Sequence, residues 1–355
     1  MQRTKSRLFW LLALMVSLAM LATACGGDDE ERGSGSESET EGGAGGGEGG
    51  DVEGEVNISG SSTVEPISIR VAELFEDVEP GVVVNVDGPG TGDGFVLFCD
   101  GETDISDASR AIKEEEAATC DENGVEFIEI KVAFDGMAVM TSPANDAVEC
   151  LNFADLYALV GPESQGFDNW SDAQAIASEL GSDTEFPDAP LDITAPGEES
   201  GTYDSFIEIA LEGLAEERGQ DPATRPDYSS QSDDNAIIAG IEGSDTSFGW
   251  VGFAFAEEAG DGVRSIAIGE EPGGECVEPT SETIADGSYP LSRPLFIYVN
   301  KQAAEENPAL AAYVDFYVGE GIAAAEEVGY VALPDDQLQE SADAWEAREV
   351  GTREG

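Results

Sequence analysis

Two serine-threonine-glycine turns carry the side chains best suited to chemistry in this chain. One is Gly60-Ser61-Ser62-Thr63, followed by Glu65-Pro66 and an apolar-periodic run. The other is Glu199-Ser200-Gly201-Thr202-Tyr203-Asp204-Ser205-Phe206, which leads into a second such run. A turn of this kind sets hydroxyl donors beside the free backbone N–H groups of a helix's first turn, and the combination suits an anion. Capping is the commoner use of Ser and Thr at helix starts, so neither turn alone names a site. Two such ends on two lobes would hold a small oxyanion between them, which is a binding arrangement and not a catalytic one. Two further stretches add donors. In Gly88-Pro89-Gly90-Thr91-Gly92-Asp93-Gly94 the glycines fall as GxGxGxG, meeting neither GxGxxG nor GxxxxGK[ST], so no nucleotide cofactor is expected. The same loop would let backbone N–H groups and the Thr91 hydroxyl approach a bound anion. Asp107-Ala108-Ser109-Arg110 ends a strand and offers a carboxylate, a hydroxyl and a guanidinium.

Composition removes whole classes of function. The chain has no histidine, so Ser-His-Asp and Cys-His nucleophilic sites and ordinary zinc hydrolases are out of reach. Lys and Arg number 15 against 76 Asp and Glu, a formal charge of −61. That balance argues against nucleic acid and anionic lipid surfaces as partners. It suits a protein of a saline environment, where salt screens the repulsion.

The N-terminus reads as an export signal. Arg3, Lys5 and Arg7 precede an apolar run, Leu8 to Leu21, that is short for a membrane span. The run ends Leu21-Ala22-Thr23-Ala24-Cys25, which resembles the lipobox of bacterial lipoproteins, where cleavage precedes a lipidated cysteine. A signal over 1–24 and a lipid anchor at Cys25 are therefore expected. Residues 25–55 are acidic and rich in Gly and Ser, unable to bury an apolar face, and read as a tether. From Val56 onward roughly 300 residues remain, enough for two lobes. Beyond Cys25 stand Cys99, Cys120, Cys150 and Cys276. An even number in an exported chain favours disulfides, with three pairings open. Cys99 with Cys120 closes a short loop and is the expected pair, leaving Cys150 with Cys276. With no CxxC spacing and no histidine, no metal site is expected.

The elements that must position these residues alternate. A helix is expected over Pro66 to Val78, with Ile67, Val71, Leu74, Phe75 and Val78 on one face. Val82 to Val86 reads as a strand, Phe95 to Cys99 as a helix, and Asp104 to Arg110 as a strand end turning into a loop. Phe127 to Val132 and Met137 to Thr141 read as two strands. Phe153 to Leu159 and Asp233 to Ile241 read as helices, Leu295 to Val299 as a strand, and three helices close the chain. Phe248 to Phe253, apolar and Gly-spaced, is the expected crossing between lobes. This alternation argues an α/β fold with mostly parallel sheets.

Four ordered motifs resemble the phosphate-binding proteins of phosphate ABC transporters. They are Ile58 to Pro66, Gly101 to Arg110, Ala195 to Phe206, and Tyr289-Pro290-Leu291-Ser292-Arg293-Pro294 to Val299. The resemblance spans about residues 56 to 335 and implies a two-lobed periplasmic-binding-protein-like fold of type II. Each lobe would be a mixed sheet flanked by helices, with inorganic phosphate in the cleft between them. Lobe one would hold 56–134 and 250–355, and lobe two 135–249. Carried over by motif, the ligands would be Ser62, Thr63 and the Val64 N–H, Thr91 and Ser109, then Ser200, the Gly201 N–H and Thr202. Many members have aspartate where this chain has Ser109, which leaves Asp107 as the nearest carboxylate. Many have arginine where this chain has Pro196, which leaves Arg110 as the candidate cation. The implied partners are an ABC permease with its ATPase subunits, and a monomer is expected. The alternatives are a receptor for sulfate or molybdate, a phosphate-sensing or adhesion lipoprotein, and an enzyme acting on phosphate esters.

Overall fold

The computed structural model describes residues 52–198 and 200–353. The signal, Cys25 and nearly all of the expected tether lie outside them. The first strand, β1 (Gly54–Gly60), starts slightly before the expected Val56 because Val52 already packs on the core.

Two parallel triplets of strands are joined by one long antiparallel pair. In the first triplet, β1 lies between β2 (Val82–Asp87) and β3 (Ile105–Ala108), all parallel. β4 (Phe127–Thr141) is followed by β5 (Cys150–Asn152). In the second triplet, β6 (Asp192–Pro196) lies between β7 (Ser229–Gln231) and β8 (Ser247–Gly252), again parallel. Next come β9 (Arg264–Ser265), which pairs with β4, and β10 (Ala267–Gly269), which pairs with β5. β11 (Ser292–Asn300) completes the order β2-β1-β3-β11-β4-β8-β6-β7. It runs antiparallel to both β3 and β4, so the sheet is mixed, as the family resemblance implied, and not mostly parallel as the alternation of elements alone suggests.

β4 is one strand, although its sequence reads as two. Every residue from Phe127 to Thr141 is buried except half-buried Lys131. Asp135-Gly136 looks like a turn, yet the Asp135 carboxylate is satisfied by Ser205 and Arg293. At Gly136 an added Cβ would meet Ile284 Cδ1 at 2.6 Å, so the glycine serves a close approach.

Each triplet has its own core. The first gathers Val56, Ile58, Ile67, Val71 and Phe75 against Ile130, Ile297, Leu310 and Trp345. The second gathers Val139, Leu156, Trp170, Phe206 and Phe248. Trp250, Phe253, Ile268, Tyr289 and Leu291 also belong to this second core, which corrects the expected crossing at Phe248 to Phe253. Phe248 to Gly252 lies in β8, whose Phe248 and Trp250 pack in the second core, and Phe253 opens the helix that follows. The chain re-enters the first core at Leu295, within β11. β4 and β11 each run from one core to the other, and Val331 and Leu333 also pack on the second core before Trp345 returns to the first.

Helix α1 (Glu65–Glu76) buries Ile67, Val71 and Phe75, spaced one turn apart, with Pro66 in its first turn. Val78, expected on the same face, falls beyond the helix and is exposed. Helix α2 (Thr91–Cys99) begins four residues before the expected Phe95, so half of the Gly-rich loop is helical. Its last residue, Cys99, is bonded to Cys120 of α3 (Glu114–Asn123), and Cys150 to Cys276. Both pairings match expectation.

Candidate anion-binding site

The first serine turn folds as it does because glycine alone fits its base. Gly60 sits at φ +154°, and a Cβ there would lie 2.1 Å from the Asp107 carbonyl oxygen. A Cβ on Gly94 of α2 would in turn lie 2.4 Å from Gly60 Cα. With no side chains between them, the end of β1 and the starts of α1 and α2 come together. Ser61 N–H donates to the Asp107 carbonyl at 2.9 Å, and Ser61 Oγ accepts from Thr63 N–H at 3.2 Å. The Val64 N–H, expected to be free, donates to the Ser61 carbonyl at 3.1 Å and closes the turn.

Neither Ser62 nor Thr63 is used to cap α1, whose N-cap makes no side-chain hydrogen bond. Both hydroxyls reach across the cleft instead. Ser62 Oγ donates to Asp204 Oδ2 at 3.1 Å, and Thr63 Oγ1 lies 3.3 Å from Ser205 Oγ. Asp204 and Ser205 belong to α6 (Gly201–Phe206), which follows α4 (Phe153–Val160) and α5 (Gln174–Glu179). Ser200 is the N-cap of α6 and likewise makes no side-chain cap bond. The two helix starts nearly touch, since a Cβ on Gly201 would be 3.6 Å from both Ser62 O and Thr63 Cα. Thr202 follows in the first turn, half-buried. Desolvation raises the Asp204 carboxyl above its ordinary range, against the Ser62 hydrogen bond.

At the junction of the lobes lies Arg293, near the start of β11 and opposite Asp135 in the register with β4. Its Nη2 donates to Thr63 Oγ1 at 3.2 Å and to Ser205 Oγ at 2.7 Å. Its Nε donates to Asp135 Oδ2 at 3.4 Å, and its Nη1 to Glu208 Oε2. Asp135 also accepts from Ser205 Oγ at 2.6 Å. One guanidinium thus joins a first-lobe hydroxyl, a second-lobe hydroxyl and a connecting strand. Arg293 lies inside a motif noted from sequence but was not singled out there. Its signal was an arginine at the head of an apolar strand, where a buried β-segment has no structural use for charge.

Beside Arg293 opens a cavity of about 700 Å³. Thr91, Ser109, Arg110 and Lys113 line it from the first lobe, and Glu208, Ile209 and Glu212 from the second. Thr91 Oγ1 and Ser109 Oγ are 3.0 Å apart, and Thr91 Oγ1 also accepts from Ser109 N–H at 3.2 Å. The structure therefore groups Ser62, Thr63, Gly201 and Ser205 at the lobe contact, and Thr91, Ser109 and Arg110 on the cavity wall. Arg293 belongs to both groups.

Two expectations are corrected. Arg110 does not stand free, since its guanidinium makes a bidentate pair with Glu116, both contacts 2.8 Å, and lies 5.5 Å over the Phe95 ring. Asp107 does not line the cavity. Its carboxylate is enclosed beneath α1, accepts from Ser68 Oγ at 3.0 Å on Oδ1, and has no partner on Oδ2. Burial pushes this carboxyl up to about 7, the Ser68 bond opposing the rise and Glu65 adding to it.

A family model described as a PBP superfamily domain matches residues 36–320. The chain belongs to the PBP superfamily. Among curated relatives of this superfamily member, protein SphX of Synechocystis is 38% identical over 299 residues, 84% of each chain. Phosphate-binding protein PstS of Staphylococcus haemolyticus is 33% identical over 324 residues, 90% of this chain and 91% of its own. Of solved structures, a possible phosphate binding protein from Planctomyces limnophilus superposes with a TM-score of 0.76 at 34% identity. It covers 84% of this chain and 100% of its own. The two-lobed α/β architecture is that of this superfamily.

Proposed function

We propose that this protein is an extracytoplasmic receptor that captures inorganic phosphate in the cleft and delivers it to an ABC permease. One observation carries the reading: Arg293 donates both to Thr63 of the first lobe and to Ser205 of the second. An anion exchanged into that network would touch both lobes, and ligand-driven closure requires such bilateral contact. The hydroxyls of Thr63, Thr91, Ser109, Ser200 and Thr202 and the Gly201 N–H would surround it as donors, with Arg293 in the cationic role expected of Arg110. Similarity to proteins named for phosphate binding supports the same ligand. Arginine's planar fork suits a tetrahedral oxyanion. Nothing in this arrangement activates a nucleophile, and the reading is of a binding protein and not an enzyme.

The receptor would be held at the outer face of the cytoplasmic membrane by acyl chains on Cys25. Among the described residues no helix is long and apolar enough to cross a membrane. Ser109, at a position where aspartate is expected, together with the enclosed Asp107, favours a second reading: a receptor for sulfate or molybdate. Calorimetric titration in high salt at two pH values separates them. Tight phosphate binding without sulfate heat supports the phosphate receptor. Sulfate or molybdate binding of equal strength supports the second reading, and heat from none of the three anions overturns both.

A further inference from the structure

Arg293 has four hydrogen-bonding partners, and one differs from the rest. Thr63, Ser205 and Asp135 are buried, whereas the Glu208 side chain is 50% exposed. Glu208 can therefore leave Arg293 for water without opening the core. It also stands on the cavity wall, so a carboxylate occupies one edge of the guanidinium on the side from which an anion would arrive.

The backbone around Glu208 is unusual in a way that places it there. From Gly201 to Glu217 the helix is continuous, but Ile207–Leu211 is a π-helical turn between α6 and α7 (Glu212–Glu217). A π turn takes in an extra residue and occurs frequently at functional sites. Both flanks are fixed: Phe206 stacks on Trp250 with ring centroids 4.2 Å apart, and Ala215 is fully buried. Within the turn Ala210 and Leu211 face the core, while Glu208 and Ile209 line the cavity.

We propose that Glu208 is an affinity-determining residue, an internal counter-ion that holds Arg293 until an oxyanion displaces it. The inference rests on the reading that the ligand is taken at Arg293. Each binding event then exchanges a carboxylate for the ligand, which lowers affinity and speeds release compared with a bare arginine. Asp135 stays as the permanent, buried partner that fixes the guanidinium plane.

The test uses the variant Glu208→Gln and inorganic phosphate. Calorimetry at low salt should give binding about threefold to tenfold tighter than wild type, with the gain shrinking as salt is raised. Glu212→Gln removes the same charge from the same cavity, but Glu212 makes no hydrogen bond to Arg293, and the gain there should stay below about twofold. Equal gains in the two variants, or weaker binding in Glu208→Gln, overturn the proposal. If wild type gives no phosphate heat, the phosphate reading fails, and the pairing is judged without ligand. The Arg293 side-chain N–H resonances should then exchange faster in Glu208→Gln than in Glu212→Gln, and no difference between the variants overturns the counter-ion role.

Discussion

Arg110 and Arg293 line the same cavity, yet their surroundings have little in common. Arg110 follows a strand, lies over Phe95 and gives both arms of its fork to Glu116, a partner six residues away in the chain. Arg293 distributes its donors over Thr63, Asp135, Ser205 and Glu208, groups drawn from both lobes and the strand that connects them. The first is a local ion pair that braces a wall. The second is a hub whose partners come from both cores and from the strand between them. An arginine's worth to an anion site depends on how many of its donors are committed to a single fixed carboxylate, and not on its nearness to a hydroxyl-rich loop.

The contrast can be broken most directly at Arg293. Arg293→Ala should weaken phosphate binding by about 100-fold or more, since it removes a charged, multidentate donor from the centre of the site. Arg293→Lys should recover only part of this, because a point charge does not reproduce the fork. Calorimetry on the folded variants measures both, and near-wild-type binding by Arg293→Ala would discard the hub.

Next in size is the brace beneath Arg110. Removing the Cys99–Cys120 bond with the double variant Cys99→Ala/Cys120→Ala should cost about 2–4 kcal/mol in denaturant unfolding. Since that bond ties α2 to α3, and not to Arg293, phosphate affinity should change much less than stability. A collapse of affinity at unchanged fold would instead make the α2–α3 wall the dominant half of the site.

Arg110→Ala sharpens the same point with a smaller effect. Its loss should reduce stability by about 1 kcal/mol, as for a partly exposed pair, and weaken phosphate binding by less than about threefold. A loss as large as that of Arg293→Ala would restore Arg110 to the role first expected of it.

The smallest effect concerns Asp107, enclosed behind the loop. Burial raises its folded carboxyl to about 7 from the ordinary 3.8, so between those values the folded chain binds the proton more firmly than the unfolded one. Stability therefore falls as pH rises through that window. Asp107→Asn should flatten this component, and its stability relative to wild type should be higher at about pH 8 than at about pH 4. An unchanged slope in denaturant unfolding would remove Asp107 as the titrating group.

Much of this was legible from local sequence. Pro66 and the turn-spaced Ile67, Val71 and Phe75 announce α1 and its buried face, since dihedral preference and periodicity are encoded within a few residues. The hydroxyls of Ser62, Thr63 and Ser200 stand at helix starts for the same short-range reason. Even the Cys99–Cys120 pair follows from a short loop. The misreadings share one cause. Asp135-Gly136 has the composition of a turn but sits inside β4, because the groups that satisfy Asp135 come from far along the chain. Phe248 to Phe253 has the composition of a crossing but is the strand β8 and the start of a helix, with Phe248, Trp250 and Phe253 in the second core.

By itself, the sequence determined the buried face of α1, that hydroxyls stand at two helix starts, and that the chain holds no histidine. Tertiary structure alone decided which cation joins the lobes. Arg293 reaches Thr63 and Ser205 because β11 returns antiparallel between β3 and β4, setting the head of its strand at the lobe junction. Arg110 is withheld because α3 brings Glu116 against it. Strand order and helix packing are sums over distant burial, and no window of neighbouring residues contains them.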